Sequence, residues 1–323
     1  MSKQFPRLYE KRAKIAKAFR SQPLHSFVYV CLSIFVNRVM QKFRNLEYEY
    51  QDSSLRILPP AGPASGQAIT IIIPFRDKAD ILKRCLENLF SKTAYPNYRI
   101  ALVDNGSVEH ETLEYLDLVR KNRSVVILRY DKPFNYSAMH NWVMGFIKTD
   151  FVLFLNNDTE VISRNWLTSM AARLEENGVG AVGALLLFPD GKVQHAGVGI
   201  YPEVATHLYE GEDPEGTESD KINQSRQVYA VTGACLLTKK SLYYDAGGMD
   251  EVNLPVNFND IDYCLCLRSL GYSVVFEPAA RLYHYESYSR GKAWSDSVRY
   301  RAYLAERKFF WKKWRQYVNS MIS

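Results

Sequence analysis

Between residues 68 and 155, short runs of apolar side chains alternate with stretches whose apolar positions recur every three or four residues. Ile69 to Ile73 predicts a strand buried on both faces, and Asp80 to Phe90 predicts a helix that sets Ile81, Leu82, Cys85, Leu86 and Leu89 on one side. Ile100 to Val103, Val125 to Leu128 and Phe151 to Leu155 repeat the strand signal. Helical stretches around Leu113, Leu116 and Val119, and from about Ser137 to Lys148, lie between them. Fully apolar strands separated by amphipathic helices predict βαβ units, hence an α/β fold with a mostly parallel central sheet covered by helices on both faces.

After Val182 the periodicity weakens. Residues 202 to 226 are polar and rich in Glu, Asp and Gly, which predicts a long surface loop, a common place for a lid. A strand over Val228 to Thr238, a helix from about Asp260 to Leu270 closed by Gly271, and a strand over Ser273 to Phe276 follow. Basic residues are interleaved with Leu8, Ile15 and Phe19 in residues 1–50, which predicts amphipathic helix; Pro and Gly make residues 51–67 a linker. The folded body is expected over 68–292 and a basic aromatic helix over 293–323, where Phe309, Phe310, Trp311 and Trp314 stand beside Lys308, Lys312, Lys313 and Arg315.

Charge changes the picture at the two ends. Residues 1–50 hold 10 basic and 3 acidic groups, residues 51–289 hold 22 and 30, and residues 290–323 hold 9 and 2. An acidic body between basic ends argues against a nucleic-acid groove and points the ends at an anionic surface, with lipid headgroups the first candidate. Five cysteines without a paired CxxC spacing suggest neither a disulfide framework nor a zinc site, and fit a reducing, cytoplasmic setting. The apolar run Phe27 to Val36 is half the roughly 20 residues a membrane-spanning helix needs and carries no cleavage pattern, so the expected association is peripheral, on the inner face of the cell membrane.

In parallel α/β sheets ligands bind beyond the carboxyl ends of the strands. Asp77 follows the first strand, Asp104 ends the second, and Asp158 follows the fourth in Leu155-Asn156-Asn157-Asp158. No glycine-rich phosphate loop follows any strand, so a bound phosphate would be held through a divalent cation on oxygen ligands. From the residues alone, Asp77 and Asp104 also fit turn or helix-capping roles, and Asp262 fits a first-turn acid favoured by the helix dipole.

Ile69 to Ser107 with Asn156-Asn157-Asp158 resembles the inverting family 2 glycosyltransferases of GT-A fold. Asn259 to Arg268, continuing through Gly271-Tyr272 to Leu282-Tyr283-His284-Tyr285-Glu286-Ser287, is similar to their rhamnosyltransferase-like branch, which serves O-antigen biosynthesis. The resemblance implies that Pro74, Phe75, Asp77, Asp104, Asn105, Asn157 and Asp158 bind the donor, with Asp104 accepting a hydrogen bond from a uracil or thymine imide. It implies Asp260 as the general base, Gly233 and Asp262 at the acceptor, and Asp158 with His284 as ligands of Mg or Mn. Two positions depart from the family pattern, since Asn156 and Asn259 stand where acids are usual. Ser287 and Arg290 are placed to close over a diphosphate, and Gln194-His195-Ala196-Gly197 recurs in such enzymes without an assigned chemistry.

The expected activity is transfer of a hexose or deoxyhexose from a UDP- or dTDP-linked sugar to a glycan or lipid-linked acceptor with inversion, in bacterial surface-polysaccharide synthesis. Two rivals remain: a nucleotidyltransferase of related fold, which lacks its basic glycine-rich triphosphate loop here, and a catalytically silent sugar-nucleotide or glycan-binding subunit, suggested by Asn156 and Asn259.

Overall fold

The computed structural model describes residues 65–201, 203–285 and 297–322. The expected N-terminal amphipathic segment, most of the linker, and the expected Ser287 and Arg290 contacts lie outside those residues. The chain order is β1 (Ile69–Phe75), α1 (Ala79–Lys92), β2 (Tyr98–Asp104), α2 (His110–Val119), β3 (Val125–Arg129), α3 (Tyr136–Met144), β4 (Phe151–Leu155), β5 (Thr159–Val161) and α4 (Trp166–Glu175). It continues with β6 (Val179–Leu187), β7 (Val193–His195), β8 (Val198–Tyr201), β9 (Val204–His207), α5 (Ser219–Ile222) and β10 (Arg226–Val228). The last elements are β11 (Cys235–Lys239), α6 (Lys240–Asp245), α7 (Asn259–Ser269), β12 (Ser273–His284) and α8 (Ser297–Ile322).

The main sheet runs β10-β12-β6-β11-β4-β1-β2-β3, with β5 added to β12 and β7 to β6. β4, β1, β2 and β3 are mutually parallel, as are β6 and β12, while β11 sits antiparallel between β4 and β6. The two parallel halves therefore point the same way. β1 and β4 are buried along both faces, which is why their sequences are continuous apolar runs rather than alternating ones. α1 covers one side with Ile81, Leu82, Cys85, Leu86 and Leu89, the same five residues its periodicity selects.

Register decides which side chains meet. Phe75 pairs with Asp104, and Asp104 with Arg129, so β1, β2 and β3 end level at one edge. Cys235 pairs with Leu155, which carries the Thr232-Gly233-Ala234 turn alongside Asn156, and the Asn156 N–H donates to the Ala234 carbonyl at 3.0 Å. His284 pairs with Thr159, so β12 delivers a histidine next to Asp158 from 126 residues away.

The segment expected as a free polar lid is built differently. Residues 203–226 contain β9, α5 and the start of β10, and arginines pin them to the body. Arg226 donates to the Ala196 and Lys221 carbonyls, and Arg281 to Asn223 and Glu215. Its polar composition serves this internal network. None of these residues lines the cleft described below.

The α8 helix lies along the body with Glu306, Phe310, Trp314 and Val318 buried at a spacing of four, together with Trp311. Its aromatic side thus packs inward, while Arg301, Lys308 and Lys312 are exposed. Among the described residues no helix is long and apolar enough to cross a membrane.

Candidate active site

A cleft of about 640 Å³ opens where β1, β2, β4 and the turn before β11 end. Pro74, Phe75 and Asp77 come from β1 and its following turn, Asn105 from β2, and Asn156 and Asn157 from β4. Gly233 and Asp260 line it beside the end of β4, with Tyr136 from α3 and Arg299 from α8. Of the residues singled out from the sequence, Pro74, Phe75, Asp77, Asn105, Asn157, Gly233 and Asp260 are brought to this one space. Asp104, Asp158, Asp262 and His284 are not among its walls.

The β1–β2 corner is a closed set of hydrogen bonds. Asp77 adopts a left-handed backbone (φ 52°), and its Oδ1 accepts the N–H groups of Val108 and Glu109 at 2.7 and 2.9 Å, where α2 begins. The carboxylate therefore ties down the turn that leads into α2, while the residue still faces the cleft. Asp104, expected to accept a hydrogen bond from the base, is held in the same corner. Its Oδ1 accepts the Ser107 N–H at 2.8 Å, and its Oδ2 is 2.7 Å from Nη1 of Arg129, its cross-strand neighbour. Both oxygens are engaged and the residue is buried. Asn105 holds the following loop through Nδ2, which donates to the Tyr130 and Lys132 carbonyls; its buried Oδ1 has no partner among the described residues.

Asp260, in the first turn of α7, is half-buried. Its Oδ1 accepts the Ile261 N–H and its Oδ2 the Gly233 N–H, both at 2.8 Å. Each oxygen keeps a further lone pair for a hydroxyl donor from the cleft. Tyr136 completes the wall by donating its hydroxyl to the Gly233 carbonyl at 3.0 Å. Burial, and then the charge of Asp260, push the Tyr136 phenol well above its ordinary range, so it stays a donor. A Cβ at Gly233 would lie 3.0 Å from Tyr136 Oη and 3.5 Å from Asp260 Cβ, so both neighbours depend on the bare backbone there. Tyr136 escaped the sequence reading. Its signal was available in Asn135, which caps α3 through the Ala138 N–H at 2.8 Å and thereby starts the helix at this sheet edge.

Asp262 overturns the expected acceptor contact. Two residues beyond Asp260 it lies on another side of α7, buried against α8, where Oδ1 accepts the Trp314 indole N–H at 2.6 Å and pairs with Lys313 Nζ at 2.7 Å. Burial raises its carboxyl above the ordinary carboxylate range although Lys313 and Trp314 oppose the shift. Asn259, where an acid was usual, donates to Ser137 Oγ and the Val256 carbonyl, fixing the loop before α7 to α3.

Behind Asn156 lie the two residues expected to hold a cation. Nδ1 of His284 is 2.7 Å from Gln194 Oε1, and Gln194 Nε2 donates to the His284 carbonyl, which fixes the amide orientation and makes Nδ1–H the donor. The Nε2 lone pair then accepts from Asn156 Nδ2 at 3.2 Å and faces Asp158 Oδ1 at 3.3 Å. That buried carboxylate oxygen has no hydrogen-bond partner among the described residues. With Gln194 orienting the imidazole as outer-shell partners do, Nε2 and Asp158 Oδ1 could share a cation once the Asn156 amide turns away from Nε2. Among the described residues no cluster of three His, Cys, Asp or Glu side chains exists, so the remaining positions would fall to ligand oxygens and water.

The profile of Glycosyl transferase family 2 matches residues 70–243. The O-antigen biosynthesis protein RfbC of Myxococcus xanthus is 35% identical over 261 residues, covering 79% of this chain and 20% of its own length. The uncharacterized protein y4gI of Sinorhizobium fredii is 43% identical over 228 residues, covering 69% of this chain and 25% of its own. The Pre-mycofactocin glycosyltransferase of Mycobacterium tuberculosis is 26% identical over 238 residues, 70% of this chain and 44% of that one. The chain thus spans less than half the length of these curated relatives. Among solved structures, GalNAc-T7 with UDP, GalNAc and Mn2+ superposes with a TM-score of 0.62 at 15% identity, covering 78% of this chain and 49% of that one. The mannosyltransferase PcManGT of Pyrobaculum calidifontis, in complex with GDP-Man and Mn2+, gives 0.56 at 14% identity over 86% and 73%. Both are alike in fold.

Proposed function

The chain belongs to glycosyl transferase family 2, and from that premise we propose that it transfers a hexose or deoxyhexose from a UDP- or dTDP-linked donor to a glycan or lipid-linked acceptor with inversion. The observation that carries the reading is Asp260, a carboxylate fixed by two backbone N–H groups in the cleft that the ends of β1, β2 and β4 line. In a direct displacement the acceptor oxygen bonds to the anomeric carbon, the bond from that carbon to the diphosphate oxygen breaks, and the hydroxyl proton passes to Asp260. The two N–H contacts hold the carboxylate in place, so no reorganisation is needed as the proton moves.

Pro74, Phe75, Asp77, Asn105 and Asn157 form the donor side, and Gly233 the acceptor side. Asp158 and His284 would hold a Mg or Mn ion, which when bound neutralises charge on the departing diphosphate. Arg299 adds a cation at the same cleft. Asn105 Oδ1, a buried acceptor with no partner among the described residues, stands beside Asp104 to meet a base N–H. The basic face of α8 supports a peripheral contact with anionic lipid, at about 1 kcal/mol per Lys or Arg near the surface; binding to phosphatidylglycerol vesicles that ignores Lys308→Glu/Lys312→Glu would count against it.

The reading is tested by thermal shift with UDP, dTDP and their sugars, each with Mn2+, with Mg2+ and with chelator. A ligand of the native state raises the melting temperature by mass action. Stabilisation by one nucleotide sugar, lost with chelator, is the expected result. No shift with any of them would return the choice to a silent or glycan-binding role.

A further inference from the structure

We propose that Glu306, in the C-terminal helix α8, is a positioning residue for Asp260, which makes that helix part of the active site. The inference rests on the reading of Asp260 as base. Glu306 is 4% exposed, and no cation pairs with it among the described residues. Its Oε2 accepts the backbone N–H groups of Val256 and Asn257 at 3.1 and 2.5 Å, and its Oε1 accepts Asn257 Nδ2 at 3.1 Å. A buried carboxylate satisfied by three N–H donors from one short segment fixes that segment, because an ionised carboxylate can only accept.

The segment leads straight into α7. Phe258 follows with φ 62°, a left-handed conformation unfavourable for an aromatic residue, and its carbonyl accepts the first helical bond from the Asp262 N–H at 2.8 Å. Its ring stacks on Phe310 with centroids 5.2 Å apart, one helical turn beyond Glu306, and lies 5.5 Å from Tyr303. Two residues after Phe258 stands Asp260. The helix therefore clamps both backbone and ring of the turn that aims the carboxylate at Gly233. From the other side the Pro255 carbonyl accepts the Ser137 N–H, so the loop is held between α3 and α8.

Docking of α8 does not depend on this contact. Asp262 binds Trp314 and Lys313, and Phe310, Trp311 and Val318 are buried independently. Removing the Glu306 carboxylate should release the turn while the helix stays in place. Misplacing a reacting group by about 1 Å costs about 100-fold in rate.

The test uses the full chain and the donor found by the thermal-shift screen, with nucleoside-diphosphate release as the rate. Glu306→Leu is expected to lower kcat by about 30- to 100-fold with donor KM within about twofold. Glu306→Gln, which keeps an acceptor for both backbone N–H groups, should restore kcat to within about threefold. In an Asp260→Asn background Glu306→Leu should change the residual rate by less than about twofold, since the group it positions is already absent. If the Leu variant folds poorly, Glu306→Asp keeps the charge but withdraws it by one methylene and carries the same expectation. Unchanged kcat in Glu306→Leu, equal losses in kcat and donor affinity, or failure of Gln to restore would overturn the proposal. Asp260→Asn turning over as fast as the parent would instead sink the reading on which it rests.

Discussion

His140 sits directly beneath the active-site wall, and its burial makes the fold sensitive to acid. The ring is 1% exposed, packed 4.1 Å from the Tyr136 ring and edge-on to Phe154 at 4.7 Å. Nδ1 lies 2.8 Å from the Tyr136 carbonyl, and Nε2 has no partner among the described residues. Desolvation lowers the imidazole from its ordinary 6.5 to about 4, with the Tyr136 carbonyl opposing the shift. Between those values the unfolded chain binds a proton that the folded chain refuses, so stability is full above pH 6.5 and falls as the pH drops towards 4. At 1.36 kcal/mol per unit, a shift of this size corresponds to about 3 kcal/mol by pH 4. That is a large share of a typical domain's 5–15 kcal/mol, roughly. Urea unfolding followed by tryptophan fluorescence from pH 7 to 4.5 measures it, comparing the parent with His140→Phe. The difference between the two curves should grow as pH falls and reach about 2 kcal/mol or more at pH 4.5. His195, which burial also holds well below its ordinary value, is common to both proteins and cancels. Parallel curves would refute the assignment.

Other substitutions separate the walls of the cleft. Gly233→Ala places a methyl 3.0 Å from Tyr136 Oη and should cut turnover by about 100-fold while leaving donor binding intact, read as kcat against donor Kd. Gln194→Leu removes the partner that orients His284, so Mn2+ affinity in the presence of nucleotide should fall by about 10- to 100-fold, measured by electron paramagnetic resonance of free Mn2+. Asp104→Asn weakens the Arg129 contact at the β2–β3 edge and should lower the melting temperature more than it lowers donor affinity; the reverse order would restore Asp104 as a base-reading residue.

The fold was legible because its information is local. Ile69 to Ile73 and Phe151 to Leu155 read as strands buried on both faces because amphipathic helices separate them, and the spacing of Ile81, Leu82, Cys85, Leu86 and Leu89 fixes the side α1 buries. Strand ends likewise point to Asp77, Asp104 and Asp158, of which Asp77 lines the cleft, while beside the other two it is the adjacent amides Asn105 and Asn157 that do. What local pattern does not carry is the partner across space. Asp104 and Arg129 are 25 residues apart and meet only through the β2–β3 register. Asp262 reads as a site acid until α8 is seen covering it with Trp314. Glu306 left a faint trace as the lone acid on an otherwise apolar stripe of the C-terminal helix, at positions 306, 310, 314 and 318. Gln194 gains a role only when β7 and the end of β12 are brought together.

The central claim is that Asp260 deprotonates an acceptor hydroxyl in a sugar transfer. Its most direct test is nucleoside-diphosphate release from the stabilising nucleotide sugar, with Mn2+, by the parent protein and by Asp260→Asn. The account predicts turnover by the parent and a loss of about 100- to 10,000-fold in the variant, with the donor-induced rise in melting temperature unchanged. A variant that releases nucleotide as fast as the parent would contradict it.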